Sequence, residues 1–257
     1  MLNVLGRLAQ SGRALPLQGR SHRFKSCGAH DIVKKKLKNL NIVKNFRNYL
    51  RTKKLLSSSR GQITLKTPSG KLLYNFLEDS NIQSVLEIGT WNGLGSTLTI
   101  YEALNKKGGY FSITSLETDK IAYKNAKKNL KNKKEIKLIL GRILEINELP
   151  NPEYIDFKKH NLNPKNIDWL YQDIRRYKKT NNIYNLLDYK YDLILFDGGE
   201  FSTYAEFKKL YEKCTYFCLD DIHTYKQFEV LNFIDKYPDK FELLKNIGDF
   251  SIYKVAN

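Results

Sequence analysis

The chain has 257 residues, of which 41% are hydrophobic, and its formal net charge is +17. This length and composition allow one domain with a sizeable apolar core. No apolar run approaches the length of a membrane span, so we expect a soluble protein without a transmembrane segment. The three cysteines, Cys27, Cys214 and Cys218, form neither a metal-binding pattern nor a disulfide framework. We therefore expect a reducing, cytoplasmic compartment.

The positive charge is concentrated in the first third of the chain. Residues 1–80 contain 17 Lys and Arg against 3 Asp and Glu, whereas residues 81–257 contain 27 against 24. Residues 31–60 carry apolar side chains at helical spacing among lysines and arginines, which predicts a basic amphipathic helix. Such a helix suits an acidic membrane surface or a nucleic acid, but more often it packs on its own domain, and we favour the latter. The apolar positions are Val33, Leu37, Leu40, Val43 and Leu50.

Residues 1–30 have no apolar periodicity and no acidic residue. A transit peptide rich in Arg and Ser is one interpretation. We favour another, because codons for Leu8–Ala14 and His22–Cys27 can spell the D-arm and T-arm of a transfer RNA gene. Residues 1–30 are then a spurious or disordered leader, and residues 61–257 form the functional domain.

The first motif in that domain is a glycine-rich turn. Val85–Ile88 reads as a strand that includes Glu87, and Gly89, Gly93 and Gly95 follow it. A helix comes next, with Ser96 or Thr97 as its cap. Such a turn exposes backbone amides to a ligand at a helix N-terminus. No Gly-Lys-Ser/Thr follows, which excludes a P-loop, and the glycine spacing is not Gly-x-Gly-x-x-Gly.

The second motif is an acid at the end of the next strand. Tyr110–Leu116 alternates as a strand does and leads into Glu117, which is suited to hydrogen bonds with ribose hydroxyls. The alternative is that Glu117 or Asp119 only caps the helix at 120–131. We assign the cap to Asp119 and the ligand to Glu117.

Two further strands end in carboxylates. Leu193–Phe196 leads to Asp197, and Tyr216–Leu219 leads to Asp220 and Asp221, with His223 close behind. The carboxyl ends of parallel strands share one edge of a sheet, where three carboxylates suit a hard cation and a histidine suits a general base. Each aspartate alone is equally suited to capping a turn.

The remaining elements complete an alternating α/β pattern. A proline-punctuated insertion spans about residues 145–190, with a helix at Trp169–Tyr177. It is either a lid over the active site or a surface loop. Phe241–Leu244 and Phe250–Val255 are predicted as the closing strands, the latter antiparallel at the sheet edge.

Taken together, residues from about Thr67 to Ile234 resemble a class I S-adenosylmethionine-dependent methyltransferase. The Glu87–Thr97 motif resembles that of the caffeoyl-CoA and catechol O-methyltransferases. The Phe-Asp-Gly-Gly-Glu-Phe-Ser-Thr-Tyr block that contains Asp197, followed by Leu-Asp-Asp, resembles methyltransferase family 24 and the macrocin-type O-methyltransferases. The resemblance implies a Rossmann-like, doubly wound, mostly parallel seven-stranded sheet with an antiparallel C-terminal edge strand.

The resemblance also implies the site. S-adenosylmethionine is the expected cofactor, and Mg2+ a further expected ligand that orients the acceptor hydroxyl. The expected cofactor-binding residues are Glu87, Gly89, Thr90, Trp91, Gly93, Ser96 and Glu117, the expected metal ligands are Asp197, Asp220 and Asp221, and the expected catalytic residues are Asp197, Glu200 and His223. Three places depart from the family pattern: Glu200 replaces a histidine, Arg142 replaces the acidic or small residue after the third strand, and residues 212–215 replace a Pro-Gly-Gly turn.

The predicted function is therefore a Mg-assisted O-methyltransferase that acts on a sugar or other small-molecule hydroxyl. One alternative is a nucleic-acid methyltransferase, which would use the basic helix to bind its substrate. This sequence, however, lacks the Asn/Asp-Pro-Pro-Tyr/Phe signature of amino methylation. The other is a non-catalytic module that binds a cofactor or a partner.

Overall fold

The structure is a computed structural model that describes residues 62–157, 160 and 162–256. The predicted leader at 1–30, the basic helix at 31–60 and Cys27 lie outside the described residues. Among the described residues, no helix combines the length and the apolar character needed to cross a bilayer.

Helices and strands alternate along the described chain. The helices are α1 (Pro68–Asp79), α2 (Ser96–Lys107), α3 (Lys120–Asn129), α4 (Pro164–Tyr177), α5 (Thr203–Leu210) and α6 (Tyr225–Lys236). The strands are β1 (Ser84–Ile88), β2 (Ser112–Glu117), β3 (Ile136–Leu140), β4 (Tyr191–Phe196), β5 (Cys214–Asp220), β6 (Phe241–Ile247) and β7 (Phe250–Val255).

Within the described ranges, seven strands form one sheet in the order β3-β2-β1-β4-β5-β7-β6. Strands β1 to β5 are parallel, and β7 pairs antiparallel with both β5 and β6. This confirms the predicted fold class. One detail differs: β7 is antiparallel as predicted but lies inside the sheet, and β6 forms the edge. The sheet order reverses between β1 and β4, where ligands bind in open α/β sheets.

The central strands are apolar because helices cover both faces of the sheet. One core cluster contains Leu86, Ile194 and Phe217, and the cluster on the other side of the same strands contains Val85 and Leu193. The alternation of side chains along each strand explains this division. Core packing thus holds the ends of the strands in place, and this determines the positions of the polar residues that follow them.

The helix starts agree only partly with the predicted caps. Asp119 caps α3 as predicted, since its Oδ1 accepts hydrogen bonds from the amides of Ile121 (2.8 Å) and Ala122 (3.0 Å). Gly95 is the N-cap of α2, and no side chain caps that helix. The predicted cap by Ser96 or Thr97 is wrong: Ser96 is already the first helical residue, and the Thr97 hydroxyl donates to the carboxylate of Glu87.

Candidate active site

The glycine turn after β1 brings two strand ends into backbone contact. Gly89 has φ +100°, and a Cβ there would lie 2.0 Å from the carbonyl oxygen of Asp197, at the end of β4. Only glycine tolerates both the positive φ and this approach. The Gly89 amide donates to the carbonyl oxygen of Leu116 in β2 at 3.0 Å. The turn therefore joins the ends of β1, β2 and β4.

Glu87 supports this turn from behind. Its Oε2 accepts hydrogen bonds from the hydroxyls of Thr97 (2.5 Å) and Ser115, which ties β1 to α2 and β2. Burial raises the pKa of Glu87 to about 7, although hydrogen bonds from Ser115, Ser96 and Thr97 oppose the shift. Its Oε1 has no hydrogen-bond partner among the described residues. Glu87 thus acts as a buried brace for the turn.

Thr90 and Gly93 are also structural in position. The Thr90 hydroxyl lies 2.5 Å from the hydroxyl of Ser115 and is buried. Gly93 has φ +75°, and a Cβ there would lie 2.7 Å from the Leu130 side chain, so this glycine lets the turn pack on the end of α3. Neither residue is among those that line the cavity described below.

Glu117 lies at the end of β2 and faces the cavity. Its Oε2 accepts from the amide of Trp91 at 2.7 Å, and its Oε1 accepts from the amide of Asp119 at 2.7 Å. Burial raises its pKa to about 7, and the two amide hydrogen bonds partly counter this. A carboxylate oxygen accepts more than one hydrogen bond, so Glu117 retains acceptor capacity for a ligand. Trp91 has φ +52° and also lines the cavity.

A cavity of about 400 Å³ lies at the carboxyl ends of β1, β2 and β4, with the segment after β3 and parts of α4 and α5 completing its wall. It sits where the sheet order reverses. Three predicted cofactor residues line it, namely Gly89, Trp91 and Glu117, whereas Glu87, Thr90, Gly93 and Ser96 are not among its lining residues. Of the predicted catalytic residues, Asp197 lines it.

Helix α4, from the predicted insertion, forms one wall of the cavity. Arg176 joins α4 to the start of α3, because its Nε lies 3.1 Å from Asp119 Oδ2. Within α4, its Nη1 lies 3.0 Å from Asp173 Oδ1. All three residues line the cavity. Helix α4 therefore contributes to the cavity wall, and its role as a lid stays a prediction.

Arg142 anchors the end of α4. Its Nε donates to the carbonyl oxygen of Tyr177 at 3.0 Å, and its Nη1 donates to that of Leu144 at 2.6 Å. The guanidinium thus binds the protein's own backbone, while Arg142 also lines the cavity.

Glu206 is a buried acid on the cavity wall. Its Oε1 accepts from the Tyr177 hydroxyl at 2.9 Å, while its Oε2 has no partner among the described residues. Burial raises its pKa to about 7. A Cβ at Gly198 would lie 2.6 Å from Glu206 Oε2, so the glycine after Asp197 makes room for this carboxylate.

The three predicted metal ligands do converge. Carboxylate oxygens of Asp197, Asp220 and Asp221 lie within 4.8 Å of one another. Burial raises the pKa of Asp220 to about 7, and Asp197 adds to the shift. Asp221 has φ +59°, a strained conformation that turns the chain back after β5.

A lysine that the sequence analysis did not single out lies in this cluster. Lys226 Nζ is 2.5 Å from Asp197 Oδ1 and 3.0 Å from Asp221 Oδ2, and its side chain is only 5% exposed. Burial opposes its charge, but the carboxylates of Asp197, Asp221 and Asp220 raise the pKa of Lys226 above its usual value. The ammonium is therefore a fixed positive charge at the strand ends.

The remaining predicted catalytic residues, Glu200 and His223, differ in their surroundings. The His223 side chain is 72% exposed, and its Nε2 lies 3.8 Å from Oδ1 of Asp249 in the β6–β7 turn. Glu200 is partly buried, and this burial raises its pKa. Neither is among the residues lining the cavity.

Comparison with known proteins supports the fold assignment. The chain matches no protein-family model and no curated protein sequence. An O-methyltransferase from Bacillus cereus, solved in complex with SAH, matches at 15% identity and TM-score 0.53, over 80% of this chain and 89% of that one. A candidate caffeoyl-CoA O-methyltransferase from Staphylococcus aureus matches at 15% identity and TM-score 0.50, over 88% and 100%. A candidate O-methyltransferase from Klebsiella pneumoniae matches at 14% identity and TM-score 0.52, over 82% and 89%.

The described residues therefore adopt the fold of the S-adenosylmethionine-dependent O-methyltransferases, as the sequence motifs predict. At these identities the similarity concerns the fold.

Proposed function

We propose that this protein transfers the methyl group of S-adenosylmethionine to a hydroxyl oxygen of a small molecule or glycan. The observation that carries the proposal is the cavity at the reversal of the sheet, which Gly89, Glu117 and Asp197 line together. A cofactor and an acceptor can both bind in this cavity, at the same edge of the sheet. The near balance of charged residues over 81–257 favours such an acceptor over a nucleic acid.

On the cofactor side, Glu117 binds the ribose hydroxyls, and the backbone around Gly89 and Trp91 accommodates the methionine part. Acids outnumber bases on the cavity wall: Glu117, Asp119, Asp173, Asp197 and Glu206 against Arg142 and Arg176. This excess suits a ligand that carries a sulfonium and an ammonium group. The cofactor supplies an electrophilic methyl group on its sulfonium.

The chemical step balances as a displacement. The S–CH3 bond breaks and its electron pair returns to sulfur, while the acceptor oxygen forms the new O–CH3 bond and releases its proton. Asp197 is the proton acceptor we favour, because it lies on the cavity wall and burial raises its pKa above the usual value for aspartate. Glu200 and His223 remain sequence-based candidates for this role. The protein's further contribution is to hold the reacting atoms in line.

The residues around the three aspartates do not fit Mg2+ as they stand. Their oxygens are suitable ligands, but the Lys226 ammonium lies in hydrogen-bond contact with two of them. Mg2+ assistance, which the resemblance implies, is therefore not part of the proposed mechanism, and no step above involves a metal.

The location and the N-terminal segments also stay proposals. Cys214 and Cys218 are buried free thiols, which favours a reducing, cytoplasmic setting. The division into a leader at 1–30, a predicted basic helix at 31–60 and a methyltransferase domain at 61–257 stays a prediction from the sequence.

Calorimetric titration of S-adenosylmethionine into the full chain tests the proposal. We expect the wild type to bind with micromolar affinity at one site. Glu117→Gln should bind at least about 10-fold more weakly, since the amide cannot accept hydrogen bonds from both the Trp91 and Asp119 backbone groups. The matched control is Glu242→Gln, an exposed position on the edge strand, which should bind as the wild type does. Absence of binding by the wild type would overturn the proposal, and unchanged affinity in Glu117→Gln would overturn the ribose assignment.

A further inference from the structure

The cluster of Asp197, Asp220 and Asp221 is bridged by a side chain of the protein itself. Lys226 Nζ donates to Asp197 at the end of β4 and to Asp221 just after β5, so one ammonium links the two strand ends. Its side chain is 5% exposed, which distinguishes it from a surface lysine that visits an acidic patch. A buried ammonium is tolerated only where such partners compensate it.

The backbone that carries Lys226 is held in place. The neighbouring Gln227 donates from its Nε2 to the carbonyl oxygens of Phe196 (3.1 Å) and Asp220 (2.9 Å). The first turn of α6 is therefore fastened to the ends of β4 and β5 independently of any charge. Lys226 enters the cluster from a fixed point, and its position does not depend on the ion pairs alone.

A divalent cation and this ammonium compete for the same oxygens. Mg2+ binds carboxylate oxygens at about 2.1 Å and requires nearly octahedral geometry. A metal bound to Asp197 and Asp221 would lie close to the Lys226 ammonium, where the like charges repel strongly in a low-dielectric interior. The two cations are therefore alternatives at this position.

We propose that Lys226 replaces the divalent cation in this cluster, and that methyl transfer by this chain proceeds without a metal. The inference rests on the proposed function for its catalytic meaning. Asp197 lines the cavity and Lys226 does not, so Lys226 is a positioning residue that acts through Asp197. It holds one carboxylate oxygen of Asp197 and neutralises part of the charge that the three aspartates bring together.

A titration of Mn2+ into the full chain tests the inference and needs no methyl acceptor. The electron paramagnetic resonance signal of free Mn2+ reports how much of the ion is bound. We expect the wild type and Lys226→Arg to leave the signal of equimolar Mn2+ unchanged. Lys226→Met should bind one Mn2+ and gain thermal stability from it, because removing the ammonium opens the carboxylates to a metal. Lys236→Met, on the exposed far end of α6, is the matched control and should behave as the wild type.

Wild-type binding of one Mn2+ that is lost in Asp220→Asn would overturn the inference, as would a folded Lys226→Met chain that binds none. If Lys226→Met does not fold, the wild-type titration alone decides. S-adenosylmethionine titration of the same wild-type sample separates the two proposals: binding of both ligands overturns only this inference, whereas absence of cofactor binding overturns the proposed function.

Discussion

Gly89 and Asp197 meet backbone to backbone at the point where the order of the sheet reverses. A Cβ on Gly89 would lie 2.0 Å from the carbonyl oxygen of Asp197, and the Asp197 amide donates to the carbonyl oxygen of Ile88 at 3.0 Å. The glycine turn assigned to the cofactor and the aspartate assigned to the acceptor thus share one backbone junction. We therefore expect a substitution on one side of this junction to affect the other.

Gly89→Ala should therefore lose both stability and cofactor binding. The strained φ and the clash with backbone atoms cannot be relieved by a side-chain rotation, so we expect a loss of about 3 kcal/mol or more in the free energy of unfolding. Gly108→Ala is the control, because that glycine has φ +78° but open space around its Cβ position. It should cost about 1 kcal/mol and leave cofactor affinity unchanged. Urea denaturation and calorimetry measure the two effects, and wild-type affinity in Gly89→Ala would refute the assignment of the turn.

The salt bridge between Arg176 and Asp119 predicts a specific role for α4. Arg176→Ala should lower cofactor affinity several-fold, since it releases this helix of the cavity wall from the start of α3. The stability loss should exceed about 1 kcal/mol, the value for an exposed ion pair, because Arg176 also pairs with Asp173, whose side chain is only 11% exposed. Arg175→Ala, at an exposed position on the same helix, should change neither quantity. Equal effects of the two substitutions would show that α4 is not a functional lid.

The buried acid Glu206 predicts a pH dependence of stability. Burial raises its pKa from 4.5 to about 7 in the folded chain. Between these values the unfolded state has released the proton and the folded state still holds it, so the free energy of unfolding falls as pH rises from about 4.5 to about 7. One such group contributes up to about 3 kcal/mol.

Denaturation at about pH 5 and about pH 8 measures this contribution. Glu206→Gln should lose less stability than the wild type between these conditions, because its side chain does not titrate. Glu242→Gln should lose as much as the wild type. A Glu206→Gln chain with the wild-type pH dependence would mean that Glu206 is ionised in the fold throughout this range.

The fold and one half of the site could be predicted because their determinants are local. Apolar strands that end in a polar residue, such as Glu117 and Asp197, are visible in the sequence, and parallel pairing brings their ends to one edge. The pairing order of β6 and β7 was predicted less well. Both segments read as strands, and the available signal for an edge position was the polar character of β6 at Glu242, Lys245 and Asn246.

The other half of the site depends on tertiary packing. Lys226 lies five residues after Asp221, in the first turn of the next helix, and this proximity to the acidic pair was the available signal. A lysine at such a position usually points to solvent, so the signal did not predict a buried ion pair. Glu206 and Arg176 gave no comparable signal. The burial of Glu206 depends on how other elements pack against its helix. The contact of Arg176 with Asp119, at the start of α3, joins residues 57 positions apart in the sequence.

The most direct test of the account is a crystal structure of the chain with S-adenosylhomocysteine. We predict that the ribose hydroxyls lie within hydrogen-bond distance of the Glu117 carboxylate, that the amino acid part lies against the Gly89 turn, and that Lys226 remains bound to Asp197. A nucleoside bound outside this cavity, or inside it without contact to Glu117, would contradict the account.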